Sequence, residues 1–208
     1  MTNNYFKVYS NGNRRFEVTL EFYLDGERYS TPRAIIDTGC PTSLIPANIL
    51  FGIYGDMNSP EVRSKMREEK AIAISKGYRR YTHRGIGNST KSIGVGNTFE
   101  DILNNKRVVF ERDATNISIN HCSIQDTKVR ISYDDLGITL IGYELLKQLD
   151  IHMGLSSDRR MCIVGCPRQQ FNNEYLKALE ETFGLATTLG AYAFRSKIKD
   201  NENGGIKQ

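Results

Sequence analysis

The stretch Phe16-Glu17-Val18-Thr19-Leu20-Glu21-Phe22-Tyr23 alternates apolar and polar side chains. That period of two is the mark of a strand with one buried face. Asp25-Gly26 follows, a dipeptide that closes tight hairpins because both positions tolerate positive φ. A second strand therefore runs back from about Arg28 to Ile36 and delivers Asp37 at its end. From Pro46 to Gly77 the pattern changes. Ser59-Pro60-Glu61 predicts a helix start with proline at the first helical position. The charged run Glu61 to Lys70 continues it, and Ala71-Ile72-Ala73-Ile74 fits either the helix end or a strand. This makes a helical insertion at about 47–78.

Arg79 to Phe99 reads as two short arms around Gly85-Ile86-Gly87-Asn88, a glycine-rich hairpin tip. Val108-Val109-Phe110, Asn116-Ile117-Ser118-Ile119, Lys128-Val129-Arg130-Ile131 and Ile138-Thr139-Leu140-Ile141 follow. Short β-branched runs at such regular spacing predict an all-β domain. Gly142 opens a short helix over Tyr143 to Leu149, and Ile151–Met153 and Met161–Val164 read as late strands. After Pro167 the period becomes helical: Phe171, Tyr175, Leu179 and Phe183 recur at every fourth position, one face of a helix. The apolar patch Leu185 to Phe194 extends that pattern, and the polar tail Lys197 to Gln208 is expected to fray. The sequence carries neither an internal repeat nor a low-complexity linker.

The chain has 208 residues, enough for one core of ordinary size with an appended subdomain. With 39% hydrophobic and 25% charged residues it has the composition of a soluble globular protein. A formal net charge of +4 is too small an excess to indicate nucleic-acid binding. Met1 to Ser10 is polar and lacks an apolar run after a basic patch, so no secretory leader is expected. No stretch approaches the roughly 18 apolar residues of a membrane span. A cytoplasmic location is the resulting expectation, with Cys40, Cys122, Cys162 and Cys166 as thiols. Only Cys162 and Cys166 are close in sequence, and their C-x₃-C spacing does not complete a metal site, so no metal and no cofactor is expected.

Asp37 is the informative residue. A carboxylate directly after a β-branched apolar run is unusual, because buried carboxylates are rare unless paired or hydrogen-bonded. Thr38 places a hydroxyl beside it, and Gly39 permits a sharp turn and close backbone approach. A carboxylate on a rigid turn is one half of an acid/base dyad. The chain holds one such motif, so the other half would come from a second copy.

Three elements in order carry a family resemblance: Ala34 to Leu44 with its Asp37-Thr38-Gly39, then Arg84-Gly85-Ile86-Gly87-Asn88, then Ile138-Thr139-Leu140-Ile141-Gly142-Tyr143-Glu144-Leu145-Leu146. They resemble the retropepsin family of aspartic proteases, the single-lobe enzymes related to retroviral proteases and to each half of pepsin. The resemblance spans roughly residues 16 to 165, interrupted by the insertion. It implies a mainly β fold, a closed barrel of the acid-protease kind with a short helix after Gly142. To this are added the helical insertion and a helical C-terminal extension. In domain terms, residues 1–166 form the protease domain and 167–208 the extension and tail. It also implies an aspartic endopeptidase acting as a homodimer on a protein or peptide substrate. Asp37 is then catalytic, Thr38 and Gly39 shape its loop, Gly85, Ile86, Gly87 and Asn88 form a substrate-binding flap, and Ile141 and Gly142 support the loop from below. Two Asp37 carboxylates about 3 Å apart would share one proton and activate a water.

The sequence departs from the retroviral pattern. The acidic residue expected two positions after Gly39 is Pro41, the basic residue expected after Gly142 is Tyr143, and Asn88 replaces a flap glycine. The supporting ion pair of those enzymes is therefore absent. Other chemistry finds little support. His83, His121 and His152 are scattered, no G-x-S-x-G turn exists, and Cys40 has no evident base. Gly85-Ile86-Gly87 and Gly94-Val95-Gly96 do not complete a phosphate-binding motif. Arg79, Arg80 and Arg84 interleave with Tyr78 and Tyr81 as a stacking platform for nucleic acid would, yet beside a flap they fit solvent or substrate contact better. The rival from another class is a catalytically inactive dimerisation or peptide-binding domain on the same scaffold. Retention of Asp37, whose pairing costs stability, favours the enzyme.

Overall fold

The computed structural model describes residues 5–12, 15–52, 59–82, 98–134, 137–155, 160–166 and 173–183. In chain order its elements are β1 (Tyr5–Tyr9), β2 (Glu17–Leu24), β3 (Glu27–Ile36), β4 (Leu44–Pro46), a 3-10 helix (Ala47–Phe51), α1 (Pro60–Ser75) and β5 (Arg80–Thr82). There follow α2 (Phe99–Asn104), β6 (Val108–Ile119), β7 (Cys122–Ser123), β8 (Thr127–Ser132), β9 (Leu140–Ile141), α3 (Tyr143–Leu146), β10 (Asp150–Leu155), β11 (Arg160–Gly165) and α4 (Asn173–Phe183). The chain divides into two compact units, Glu17–Leu149 and the joined segments Met1–Phe16 with Asp150–Gln208.

Glu17–Leu149 is built on a closed ring of strands. The order β2-β3-β9-β4-β8-β6 returns to β2 through an additional β2–β6 pairing, and β5 and β7 add to β6. The mainly β architecture expected from the sequence is thus present as a six-strand barrel. Alternation fills it: Val18, Leu20, Phe22 and Leu24 of β2 are buried while the residues between them are half-exposed. Ala34, Ile45, Phe110, Ile131 and Ile141 are fully or almost fully buried. Each large apolar side chain so removed from water contributes about 1.5–3 kcal/mol. The Asp25-Gly26 hairpin forms as expected, both residues at positive φ.

The insertion is helical as predicted. Ser59 caps α1, its Oγ accepting from Val62 N at 3.2 Å with Pro60 just inside the helix. Ala71 to Ile74 belong to the helix, not to a strand. Met66, Lys70 and Ala73 are its buried face. Lys70 is fully buried because its Nζ reaches Asp134 Oδ2 at 2.7 Å and the Asn105 carbonyl at 2.9 Å. Those bonds tie α1 to the barrel and to the end of α2.

Several elements differ from the sequence expectation. β4 was not foreseen. The runs 108–110 and 116–119 are one strand, because Glu111–Ala114 pair residue by residue with Thr127–Arg130. α2 falls where the second arm of a hairpin was expected to end. Its Thr98 and Asp101 form a reciprocal capping box. α3 is a single turn, shorter than the helix expected to Leu149. Cys40 and Cys162 are free thiols, whereas Cys122 and Cys166 are disulfide-bonded, against the expectation of four thiols.

In the other unit, β1, β11 and β10 form an antiparallel sheet in that order. α4 rests on it through Tyr175 and Leu179, which cluster with Ile163 and, at the margin, Tyr5. Both belong to the predicted apolar stripe, and Phe183, its last member, ends α4. Phe171 lies outside the described residues, as does the segment after Phe183. Tyr175 OH donates to Asp150 Oδ2 at 2.9 Å, and Asp150 Oδ1 lies 3.2 Å from His152 Nε2. Gly165 is required beneath this ring, since a Cβ there would sit 2.9 Å from Tyr175 Cζ. β1 falls in the stretch expected to be a polar terminus, and it forms because β11 pairs with it from far along the chain. Among the described residues no helix is long and apolar enough to cross a membrane.

Candidate active site

Asp37 stands where β3 leaves the barrel. β3 runs parallel to β9, with Ile35 opposite Leu140 and Ile36 opposite Ile141. The ladder continues past both strands: Ile35 N donates to Thr139 O at 2.8 Å and Asp37 N to Ile141 O at 3.0 Å. Below it the buried Thr31 hydroxyl donates to that of Thr139 at 3.1 Å. The backbone of Asp37 is therefore fixed to a strand from the other end of the unit, and only its side chain is left to reach solvent.

The turn then folds over its own carboxylate. Gly39 N donates to Asp37 Oδ1 at 2.9 Å, and Cys40 N to the Asp37 carbonyl at 3.2 Å. Gly39 is used for close approach, since an added Cβ would meet Oδ1 at 3.3 Å. Asp37 is half-buried, and its second oxygen has no hydrogen-bond partner among the described residues. Thr38 is exposed, and its hydroxyl likewise has no partner among the described residues. One carboxylate oxygen is thus oriented by a backbone N–H, while the described residues leave the other, and the hydroxyl of the exposed Thr38, open to a further partner.

Gly142 closes the loop from behind. A Cβ at Gly142 would lie 2.5 Å from Thr42 C, 2.7 Å from Cys40 O and 2.8 Å from Ser43 N. All three are backbone atoms, so no side chain fits. Gly142 N donates to Ser43 Oγ at 2.9 Å, Tyr143 N to the Cys40 carbonyl at 2.7 Å, and Glu144 N to the Pro41 carbonyl at 3.2 Å. The first turn of α3 is thereby stitched to 40–43, and the loop carrying Asp37 is clamped on both sides. Ser43, completely buried, was not singled out from the sequence. Its signal was a hydroxyl directly before Leu44-Ile45, a place where a polar side chain needs a partner.

Cys40 is half-buried, and its thiol donates to the Thr42 carbonyl at 3.0 Å. Burial pushes its pKa up. A backbone hydrogen bond with Thr42 pulls against that, the Asp37 charge adds to the rise, and the Arg130 charge opposes it. The thiol is thus held protonated, which agrees with reading Cys40 as a small packed side chain. Pro41 and Tyr143, where retroviral enzymes carry an ion pair, are both exposed and take part only through backbone groups.

The sequence-predicted residues Asp37, Thr38, Gly39, Ile141 and Gly142 come together in this one place. Gly85, Ile86, Gly87 and Asn88 lie outside the described residues. β5, the strand that leads toward them, pairs antiparallel with β6, with Tyr81 opposite Val109. Among solved structures the chain is similar to one described as the crystal structure of a retropepsin-like aspartic protease from Rickettsia conorii. The TM-score is 0.45 and the identity 11%, over 80% of this chain and 97% of that one. No family model and no curated protein matches the sequence. What the site can do follows from its own geometry.

Proposed function

We propose that the protein is an aspartic endopeptidase that works as a homodimer, with one Asp37 from each chain. The observation that carries this is the clamped Asp37 loop: a carboxylate at a barrel strand end, one oxygen held by Gly39 N–H, backed by a glycine that tolerates no side chain. Such rigidity has no use in a surface turn, whereas catalysis needs it, because small misplacement of a reacting group costs rate steeply.

In this mechanism two Asp37 carboxylates meet at the dimer axis and share a proton, since like charges so close cannot both ionise. The ionised oxygen takes a proton from a bridging water. The water attacks the scissile carbonyl while the protonated partner donates to the carbonyl oxygen. Collapse of the tetrahedral intermediate returns a proton to the leaving amine, and no acyl-enzyme forms. Thr38, with its exposed hydroxyl, bonds across the axis and keeps the two loops in register. Gly85 to Asn88 would close over an extended peptide, whose backbone finds partners as an added strand does. Catalysis belongs to residues 1–166, with 167–208 as an extension.

The test is cleavage of a diverse peptide library by wild type and Asp37→Asn, over roughly pH 4 to 8 and over concentrations that span dimer formation. Cleavage by wild type alone, with specific activity rising with protein concentration, is the expected result. A demonstrated dimer that cleaves nothing at any pH would overturn it in favour of a non-catalytic binding domain.

A further inference from the structure

Arg130 lies in β8, next to the Asp37 loop. It stands opposite Leu44 of β4 and Glu111 of β6, and its backbone N–H donates to the Ser43 carbonyl at 2.9 Å. The same registers put Leu44 opposite Leu140, Leu140 opposite Ile35, and Tyr81 opposite Val109. Ile35, Leu44, Val109 and Leu140 form a buried cluster on which Cys40, Tyr81 and Ile138 pack. This cluster is bordered by the Asp37 loop on one side and by β5 on the other, and Arg130 sits at the edge between them.

The guanidinium of Arg130 is 4.1 Å from the ring centre of Tyr81, and Arg79 approaches the same ring at 5.1 Å. Stacking holds the plane of a guanidinium while leaving its in-plane N–H groups to an acceptor. Yet Arg130 Nε is buried without a hydrogen-bond partner among the described residues. No carboxylate among the described residues lies within ion-pair distance of it. Its cross-strand neighbour Glu111 pairs with Lys128 instead, at 3.8 Å. Arg28, Arg33 and Arg112, by contrast, each hold a carboxylate. A half-buried cation with an unsatisfied donor is costly. An arriving carboxylate would give the guanidinium the charged partner that the described residues do not supply. The charges of Arg130 and Asp37 are both felt at the Cys40 thiol, so cation and carboxylate flank one small side chain.

We propose that Arg130 is a specificity-determining residue that receives the carboxylate of a glutamate or aspartate side chain in a peptide lying across the Asp37 loop. The proposal rests on the peptidase reading for what that peptide is. The apolar border of Tyr81, Ile138 and Cys40 suits the aliphatic stem of an acidic side chain better than a hydrated inorganic anion.

The experiment separates binding from cleavage. Full-length Asp37→Asn protein is titrated calorimetrically with extended peptides in which one glutamate is scanned along the chain, each against its glutamine counterpart. The glutamate peptide should bind about tenfold tighter or more at one position, the gain expected of a charge-assisted hydrogen bond. Arg130→Met in the same background should erase that difference, and Arg130→Lys should reduce it. Thermal melts check that each variant is folded, and if Arg130→Met is not, Arg130→Lys decides. Equal binding of the two peptides, no binding of either, or discrimination that survives loss of Arg130 overturns the proposal. Discrimination by Asp37→Asn protein with no cleavage by wild type would support the Arg130 site and refute the peptidase. Cleavage without any acidic preference would do the reverse.

Discussion

Replacing Gly142 by alanine tests the clamp directly. Its φ of −87° suits any residue, so the penalty is purely one of space. The new methyl carbon would lie 2.5 Å from Thr42 C, where carbon atoms settle at about 3.5–4.0 Å. The 40–43 backbone must therefore retreat by about 1 Å. That displacement strains three bonds at once: Gly142 N to Ser43 Oγ, Tyr143 N to Cys40 O and Glu144 N to Pro41 O. Overpacking costs about 1–3 kcal/mol, and each hydrogen bond lost adds about 1 kcal/mol. We expect a loss of about 2–5 kcal/mol in urea unfolding. An Asp37 moved by about 1 Å should lose on the order of a hundredfold in peptide cleavage. Gly12→Ala is the control, because nothing lies within 4 Å of a Cβ there, and it should stay within about 0.5 kcal/mol of wild type. A Gly142→Ala protein as stable as that control would refute the clamp.

Lys70→Ala should destabilise the protein by about 3–5 kcal/mol in urea melts, since it strips the buried ammonium from Asp134 and leaves the Asn105 carbonyl with Val108 N–H as its one remaining donor. The double change Lys70→Met with Asp134→Asn should recover most of that loss. Unmoved stability in the single variant would show that the pair does not anchor α1. The two free thiols should alkylate slowly at pH 8 in the folded protein, followed by mass spectrometry. Burial pushes Cys162 up to about 12 and Cys40 upward as well. For each group the folded pKa lies above the unfolded one, so its contribution to stability is fully present below the unfolded value of about 8.5 and is lost as pH rises through the folded value. Rapid modification of Cys162 without unfolding would contradict its burial.

What was legible in the sequence was local. The alternation of β2, the Asp25-Gly26 turn, the Ser59-Pro60 helix start and the Tyr175–Leu179 stripe each follow from neighbours within one or two turns of chain. The strand that ends at Asp37 could be read the same way, and so could the glycine before α3. The unforeseen features depend on distant partners. β1 exists because Tyr5–Tyr9 pair with Met161–Gly165. β6 is continuous across the charged residues Glu111 to Asp113 because β8 lies beside it and Lys128 meets Asp113 at 2.8 Å. Lys70 looks like one more charge on a solvated helix until Asp134 is brought beneath it. Ser43 and Arg130 gain their meaning from Gly142 and Tyr81, which no spacing rule links to them. α2 is the exception: its Thr98 and Asp101 capping pair is a local signal.

The Gly142–Ser43 bond spans 99 residues of sequence. At ribosomal rates of about 5–20 residues per second, the emerging Asp37 loop waits about 5–20 s before its rear support has even been made. During that interval β3 lacks β9, and the Asp37 turn lacks the contact that shapes it. The site can be completed only once nearly the whole barrel has been synthesised, so a chain cut before Gly142 lacks the rear support of its Asp37 loop. The order of residues along the polypeptide thus times the completion of the site.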